Sequence, residues 1–264
     1  MEVLTPRGEL EVFFGELGRA SAPLLFTDYD GTLAPFRTDP SKATPYEGVH
    51  AALQNILRCG SRLVVVSGRA IDDLLPLLQL SAVEVWGSHG RERLMASGRR
   101  WSAPVSSAAQ AAMARVDRLL VDAGLGGRRE KKAGCIAVHR RGLDDASAER
   151  VERTVEEIWA GMGPESGLAL KRFDGGMEFL IPGISKGDVI RHVLEEVGAD
   201  GPVAAYLGDD FTDEDAFQEL SGRGLCVLVR PEYRETLADV WLVPPVELLS
   251  FLDRWSRVVK ESRS

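Results

Sequence analysis

The sequence contains few cysteines and no long apolar run. Its three cysteines, Cys59, Cys135 and Cys226, are scattered along the chain, so we expect reduced core residues rather than a zinc site or a disulfide framework. No apolar run approaches the roughly 20 residues that a membrane helix needs. The segment Met1–Pro6 lacks the basic and apolar regions of a signal peptide. We therefore expect a cytoplasmic protein with no membrane partner.

Basic residues are also too few to outnumber the acidic ones. The chain has 32 lysines and arginines against 40 aspartates and glutamates, a formal net charge of -8. This balance argues against a general nucleic-acid binder. It does not exclude an anionic substrate, because the basic residues near a site decide that. With 264 residues, the chain is long enough for one large α/β domain or two smaller ones.

An apolar segment followed by two acids is the most informative stretch of the chain. Residues 24–27 predict a short buried strand, and Asp28, Asp30 and Gly31 follow directly. Two carboxylates this close repel each other unless a cation or a proton lies between them. Gly31 permits a sharp turn and can expose its backbone N–H to an anion. The stretch thus indicates a site for a divalent cation and a phosphate, and the alternative is an ordinary Asp-Gly turn.

The order of apolar segments predicts the fold. Strands alternate with helices from residue 24 to residue 86, and the same pattern returns after residue 182, which is typical of a parallel sheet. Between them, two hairpins and two helices indicate a small α+β domain, whose second hairpin turns at Asp174-Gly175-Gly176. We predict an α/β protein with a Rossmann-like parallel-sheet core, residues 1–90 and 182–264, and an inserted α+β cap domain, residues 91–181.

Polar residues follow the predicted core strands and begin one core helix. Ser67 ends the second strand, Lys186 begins a helix, and the acidic run 209–215 follows a later strand. Ligands of open α/β sheets bind at the carboxyl ends of the strands, so we expect these groups to share a site with Asp28 and Asp30. Alternatives exist for each group alone. Ser67 could cap a helix, and the acids could be favoured by a helix dipole.

These segments together resemble the motifs of the haloacid-dehalogenase-type phosphatases. Asp28–Thr32 is similar to Asp-x-Asp-Gly-Thr, and Ser67, Lys186 and Gly208-Asp209-Asp210 match the later motifs in order. The resemblance implies that Asp28 is the nucleophile and Asp30 the general acid and base. It implies phosphate binding by Ser67, Gly68 and Lys186.

The same resemblance implies Mg2+ as the cofactor. The ligands would be Asp28, the backbone carbonyl of Asp30, and Asp209. Asp210 and Asp213 would be further ligands or would orient the others, and the sequence leaves open which of them contacts the metal. Mg2+ prefers oxygen ligands and keeps several waters.

Within the superfamily, the whole chain resembles the trehalose-6-phosphate phosphatases. The resemblance rests on the segments Gly87–Gly90, Lys131–Arg141 and Met177–Pro182. It implies trehalose 6-phosphate as a small-molecule substrate. The insertion of roughly 90 residues is long enough to fold as a unit of its own, and we predict that it closes over the core as a cap on hinges near residues 90 and 182. We also expect a monomer. The residues that the resemblance implies for sugar binding are His89, Lys132, His139, Arg141 and Glu178.

Two departures from that pattern keep other functions open. Asp174-Gly175-Gly176 replaces the family's usual Gly-Lys turn, and Arg140 stands where an aromatic is common. One alternative is a phosphatase of a related disaccharide or pseudo-disaccharide phosphate. An alternative of another class is a sugar-phosphate-binding regulator, although a binder needs no acid/base such as Asp30.

Overall fold

The chain is described by a computed structural model. It covers residues 1–37, 39–173, 175–198 and 202–263, without the side chain of Arg7. The chain divides into two compact units: Met1–Trp101 with Ser185–Ser264, and Ser102–Ile184. The predicted turn residue Asp174 lies outside the described residues. Among the described residues, no helix is both long and apolar enough to cross a membrane.

The helices and strands follow one another in an order close to the predicted one. In chain order they are β1 Glu2–Val3, α1 Leu10–Arg19, β2 Leu24–Thr27, α2 Val49–Arg58, β3 Arg62–Val66, α3 Ile71–Leu78, β4 Glu84–Gly87, β5 Glu92–Leu94, β6 Arg100–Ser102, α4 Ser107–Asp122, β7 Arg129–Lys132, β8 Cys135–His139, α5 Asp145–Met162, β9 Ala169–Phe173, β10 Gly176–Leu180, α6 Lys186–Val197, β11 Ala204–Gly208, α7 Glu214–Leu220, β12 Leu225–Val229, β13 Val240–Leu242 and α8 Val246–Glu261.

The first unit is built on one large sheet. Within the described residues its strand order is β1-β13-β12-β11-β2-β3-β4-β5-β6, and the strands from β13 to β4 run parallel. Leu25 packs into a hydrophobic cluster on one face of the sheet and Phe26 into another cluster on the opposite face. A strand covered on both faces is continuously apolar, which explains the run at residues 24–27. The central position of β2 places Asp28 and Asp30 at the middle of the sheet's carboxyl edge.

The second unit is a smaller antiparallel structure. Its strands have the order β7-β8-β10-β9, and each neighbouring pair is antiparallel. One face contributes Ile136, Val138 and Phe179 to a core shared with α4 and α5. Side chains alternate along a strand, so Lys132, His139 and Glu178 lie on the other face. We call this the polar face of the second unit.

The predicted α/β class with a parallel-sheet core and an added α+β unit is confirmed. The first of the two hairpins predicted for the α+β domain extends the large sheet instead, because β5 pairs antiparallel with β4. The short elements β1 and α7 were not predicted. The domain boundaries at residues 90 and 182, and the role of a cap, stay predictions.

Candidate active site

A buried lysine joins two of the predicted site carboxylates. Lys186 is the first residue of α6, and its Nζ donates to Oδ1 of Asp28 and to Oδ1 of Asp213, both at 2.7 Å. The helix begins there because the backbone N–H of Ser185 donates to Asp188 at 2.8 Å, as in a capping box. All three charged side chains are buried. The start of α6 is thus tied to the end of β2.

Asp213 has both of its carboxylate oxygens committed. Oδ1 also accepts from the hydroxyl of Tyr206 at 2.5 Å, and Oδ2 accepts from the backbone N–H groups of Asp209 and Asp210, both at 3.0 Å. These contacts fix the loop after β11 around a fully buried side chain. Asp213 therefore orients Lys186 and the two preceding acids.

The charges at this edge of the sheet do not balance. Burial raises the pKa of Asp28 to about 7; Lys186 opposes this rise and Asp213 adds to it. Burial, with the charges of Asp28 and Asp213, also raises the pKa of Asp209 well above its ordinary value. Burial alone would lower the pKa of Lys186, but Asp213 and Asp28 outweigh it and raise that pKa. Three buried carboxylates therefore face a single ammonium group, and further positive charge would stabilise them.

The oxygen atoms at this place fit a divalent cation. Asp28, Asp209 and Asp213 each offer an oxygen, and these oxygens lie within 4.8 Å of one another. Oδ2 of Asp209 is buried without a hydrogen-bond partner among the described residues, although such atoms are normally paired. A buried carboxylate oxygen without a hydrogen-bond donor is suited to bind a metal ion. A set of carboxylate oxygens suits Mg2+ rather than softer metals.

Gly31 makes room for Asp209. A Cβ at residue 31 would lie 2.0 Å from Oδ2 of Asp209, and the backbone of Gly31 has φ +86, so any other residue would be both crowded and strained. The expectation that its N–H would face an anion is wrong for this structure. That N–H donates to the carbonyl of Ala34 at 2.7 Å, because the chain turns back on itself there. Gly31 serves the site through its size.

Ser67 and Gly68 lie at the end of β3, beside the end of β4. Oγ of Ser67 accepts from the backbone N–H of Arg69 at 3.1 Å. The residue that caps α3 is Ala70, so the alternative of Ser67 as a helix cap is wrong. Ser88 and His89 adopt left-handed backbone angles, φ 50 and 57, which are uncommon outside glycine. These angles bring the His89 ring against Gly68. A Cβ added at Gly68 would lie 2.7 Å from Cε1 of His89.

Asp30 and Asp210 lie outside the cluster of three carboxylates. The Asp30 carboxylate accepts two hydrogen bonds from Arg69, at 2.6 and 2.7 Å. Asp210 accepts from the backbone N–H of Phe211 at 2.6 Å and begins a short helical turn. Its carboxylate therefore stabilises the loop, and the cluster contains Asp213 instead of Asp210.

Arg234 supports the loop after β11 from outside the cluster. Its guanidinium donates to the carbonyl of Asp209 at 3.2 Å and to that of Asp210 at 2.8 Å. It also bonds Glu214 at 2.5 Å and lies over the Phe211 ring, 4.8 Å from its centroid. Arg230 also donates to the carbonyl of Asp209, at 3.2 Å, so two arginines hold the backbone that presents Asp209.

The polar face of the second unit contains a compact ionic group. Glu130 accepts from Nε2 of His139 at 2.9 Å and pairs with Nζ of Lys132 at 3.4 Å. Burial alone would raise the pKa of Glu130, but His139 and Lys132 outweigh burial and lower the pKa to about 2. Lys132 and His139, both predicted to bind substrate, are therefore brought together by an acid that was not predicted.

Glu178 lies on the same polar face, on β10. Its side chain is buried, and the thiol of Cys135 lies 3.3 Å from Oε2. Burial, and then the charge of Glu178, raises the pKa of the Cys135 thiol, so this cysteine is a neutral neighbour. Arg141 follows β8 and lies against Gly175. A Cβ added at Gly175 would lie 2.6 Å from Nε of Arg141.

Sequence reasoning missed several residues of these sites, among them Glu130, Arg69 and Arg234. Glu130 could have been found, because it lies two residues before Lys132 in a strand and so shares its face. Arg69 could also have been found, because it stands directly after Ser67-Gly68. Arg234 lies in a loop without periodicity, so nothing in the sequence indicated it.

The chain has the fold of haloacid-dehalogenase-like hydrolases. A haloacid dehalogenase-like hydrolase from B. subtilis superposes with a TM-score of 0.59, at 16% identity over 87% of this chain and 98% of that one. The C-terminal domain of the C. albicans trehalose-6-phosphate phosphatase superposes with a TM-score of 0.80, at 20% identity over 97% of this chain and 99% of that one. At these identities the likeness shows the fold.

The sequence family is narrower than the fold. The trehalose-phosphatase family model matches residues 26–232, so the chain belongs to the trehalose-phosphatase family, whose members are phosphoric monoester hydrolases. The trehalose-phosphate phosphatase of Mycobacterium ulcerans is 34% identical over 247 residues, covering 88% of this chain and 61% of that relative. The chain therefore spans less than two thirds of that relative's length.

Proposed function

We propose that this chain hydrolyses trehalose 6-phosphate to trehalose and phosphate, with Mg2+ as cofactor and an aspartyl-phosphate intermediate. The observation that carries the proposal is the buried group of Asp28, Lys186 and Asp209. It combines a carboxylate held at 2.7 Å by an ammonium group with a buried carboxylate oxygen that has no donor among the residues the structure describes. A structural ion pair alone would not need that additional oxygen.

Asp28 is the nucleophile of the proposed reaction. One of its oxygens forms a bond to phosphorus while the bond between phosphorus and the sugar oxygen breaks. Lys186 fixes the carboxylate and supplies positive charge that stabilises the transferring oxygens. Asp213 keeps Lys186 in place from the opposite side. Ser67 and Gly68 complete the phosphate site at the end of the neighbouring strand.

Asp30 moves the protons. In the first step its carboxyl group donates a proton to the departing sugar oxygen, which is a poor leaving group when unprotonated. In the second step its carboxylate takes a proton from water while that water attacks phosphorus. The bond to Asp28 then breaks, and phosphate leaves.

The cation would be held by Asp28, Asp209 and the backbone carbonyl of Asp30. When bound, Mg2+ offsets the repulsion between these carboxylates and the phosphate. Asp213 and Asp210 support the ligands through the loop contacts described above. Metal binding is tested by calorimetric titration of the metal-free protein with Mg2+. Asp209→Asn should abolish the heat of binding.

The second unit supplies the sugar-binding side chains in this proposal. Lys132, His139 and Arg141 would donate hydrogen bonds to sugar hydroxyls, and Glu178 would accept them. His89 would add a contact from the first unit. Such contacts are made to parts of the substrate distant from the breaking bond, and they can favour reaction by positioning the phosphate.

A phosphate-release panel tests the substrate. It contains trehalose 6-phosphate and the phosphates of sucrose, glucosylglycerate and glucose, each measured in Mg2+ with Asp28→Asn as the blank. We expect trehalose 6-phosphate to have the highest kcat/KM. A higher value for another disaccharide phosphate would move the assignment to that substrate. Binding without phosphate release would indicate a sugar-phosphate-binding regulator instead.

A further inference from the structure

The Arg69 guanidinium donates two hydrogen bonds to the Asp30 carboxylate. Nε donates to Oδ2 at 2.6 Å and a terminal nitrogen donates to Oδ1 at 2.7 Å. The Arg69 side chain is 10% exposed and that of Asp30 24%. A forked pair fixes the plane of a carboxylate as well as its position, which a single hydrogen bond does not.

The backbone of Arg69 is itself held by two neighbouring strand ends. Its N–H donates to Oγ of Ser67 at 3.1 Å, and its carbonyl accepts from the N–H of Ser88 at 2.7 Å. Gly87 permits this approach, because a Cβ there would lie 2.8 Å from the Arg69 carbonyl. The guanidinium therefore extends from a fixed backbone position. It lies over the ring of Tyr29, 5.7 Å from the ring centroid.

Asp30, in contrast, lies in a turn. The residues around it form backbone hydrogen bonds from Leu33 and Ala34 to Tyr29, at 2.9 and 3.0 Å. These bonds fix the main chain, but they leave the two side-chain torsions of Asp30 to be set by other groups. The described contacts of its carboxylate are those with Arg69.

We propose that Arg69 is a positioning residue, which sets the orientation of the Asp30 carboxyl group for proton transfer to and from the substrate. The inference rests on the proposed function, in which Asp30 is the acid and base. Proton transfer is sensitive to distance and direction, so the loss of the fork should slow the steps that need Asp30. It should affect kcat rather than KM, because Arg69 acts through Asp30.

The test is a double-mutant cycle with Arg69→Gln and Asp30→Asn in Mg2+. The first chemical step is followed with enzyme in excess over substrate, so that slow variants can still be measured. With trehalose 6-phosphate, we expect Arg69→Gln to slow this step by on the order of 10-fold, part of what a general acid contributes. In the Asp30→Asn background the same substitution should change it by less than about 2-fold.

The leaving group and a conservative variant sharpen the result. p-Nitrophenol leaves with little protonation, so Arg69→Gln should change its release by less than about 2-fold in the first step. Arg69→Lys keeps the charge but loses the fork, and we expect it to resemble Arg69→Gln. Arg58→Gln, at an exposed arginine of α2, is the matched control and should behave as the wild type.

Three results would overturn the inference. Additive losses in the cycle would mean that Arg69 acts on the phosphate or on the fold. Equal losses with both substrates would mean the same, and full activity of Arg69→Lys would mean that charge suffices. If the wild type released phosphate from no ester, the proposed function would fail and this inference with it. If the wild type is active and the losses in the double-mutant cycle are additive, the inference about Arg69 would fail and the proposed function would stand.

Discussion

The two polar regions of this molecule are built differently. In the first unit, Lys186, Asp28 and Asp213 have side chains at most 6% exposed, and Asp213 is held by contacts to both of its oxygens. On the polar face of the second unit, Glu130 is 30% exposed and its partner His139 23%, while its other described partner, Lys132, is 9% exposed. The charged groups of the first region are shielded from solvent, and the second region is partly open to solvent.

Under the proposed function, the difference corresponds to two roles, bond making in the first region and sugar binding in the second. Groups that make and break bonds must be held to within a fraction of an ångström, since small displacements are costly in rate. Groups that recognise a sugar need open hydrogen-bonding capacity, which a closed network would consume. Changes in the first region should therefore affect every phosphate ester. Changes in the second should affect only substrates that carry a sugar large enough to contact it.

The largest effect is expected at Asp28. Asp28→Asn should lower turnover of trehalose 6-phosphate and p-nitrophenyl phosphate alike by at least about 1,000-fold, because a neutral amide cannot attack phosphorus. Phosphate release in Mg2+ measures it, with the exposed α8 variant Asp253→Asn as control. Wild-type turnover in Asp28→Asn would remove the nucleophile assignment.

The second-largest effect, expected at Glu178, should distinguish the role of the second region from that of the first. Glu178→Ala should lower kcat/KM for trehalose 6-phosphate on the order of 100-fold if two hydrogen bonds go unpaired. It should hardly change p-nitrophenyl phosphate hydrolysis, since that substrate has no sugar. The exposed residue Glu157 of α5 supplies the control Glu157→Ala. Equal losses on both substrates would show that Glu178 supports the fold and does not bind sugar.

A smaller effect, confined to the first region, is expected at Arg234. Arg234→Gln removes donors to the carbonyls of Asp209 and Asp210, so the loop should hold Asp209 less firmly. The Mg2+ concentration for half-maximal activity should rise about 10-fold, while kcat in saturating Mg2+ stays near that of the wild type. Calorimetric titration with Mg2+ measures it, beside the exposed variant Arg257→Gln. An unchanged Mg2+ dependence would contradict this support role.

The sequence predicted the class of fold because its signals are local. Apolar runs such as 24–27 reflect burial on both faces, and the ends of parallel strands meet at one edge, so Asp28, Lys186 and Asp209 could be grouped beforehand. The partners that hold them depend on tertiary contacts. Arg234 reaches Asp209 across 25 residues. The hydrogen bond from Gly31 to Ala34 depends on the shape of one turn, which the residue types alone do not determine.

The smallest effect concerns the stability of the second unit and its pH dependence. The partners of Glu130 lower its pKa to about 2 from an ordinary value of 4.5, so its ionised form is more stable in the folded chain than in the unfolded one. The stabilisation is complete above pH 4.5 and is lost as the pH falls toward 2.

Glu130→Gln should therefore lower the free energy of unfolding at pH 7 by about 1–2 kcal/mol, after allowance for partial exposure. The difference from wild type should shrink below pH 4.5 and vanish only below about pH 2, where the wild-type carboxyl is also neutral. Hydrogen exchange of the β7 and β8 amides measures it within the second unit, and the exposed variant Glu157→Gln is the control. A difference that persisted unchanged at low pH would mean that packing, and not the charge of Glu130, stabilises the polar face.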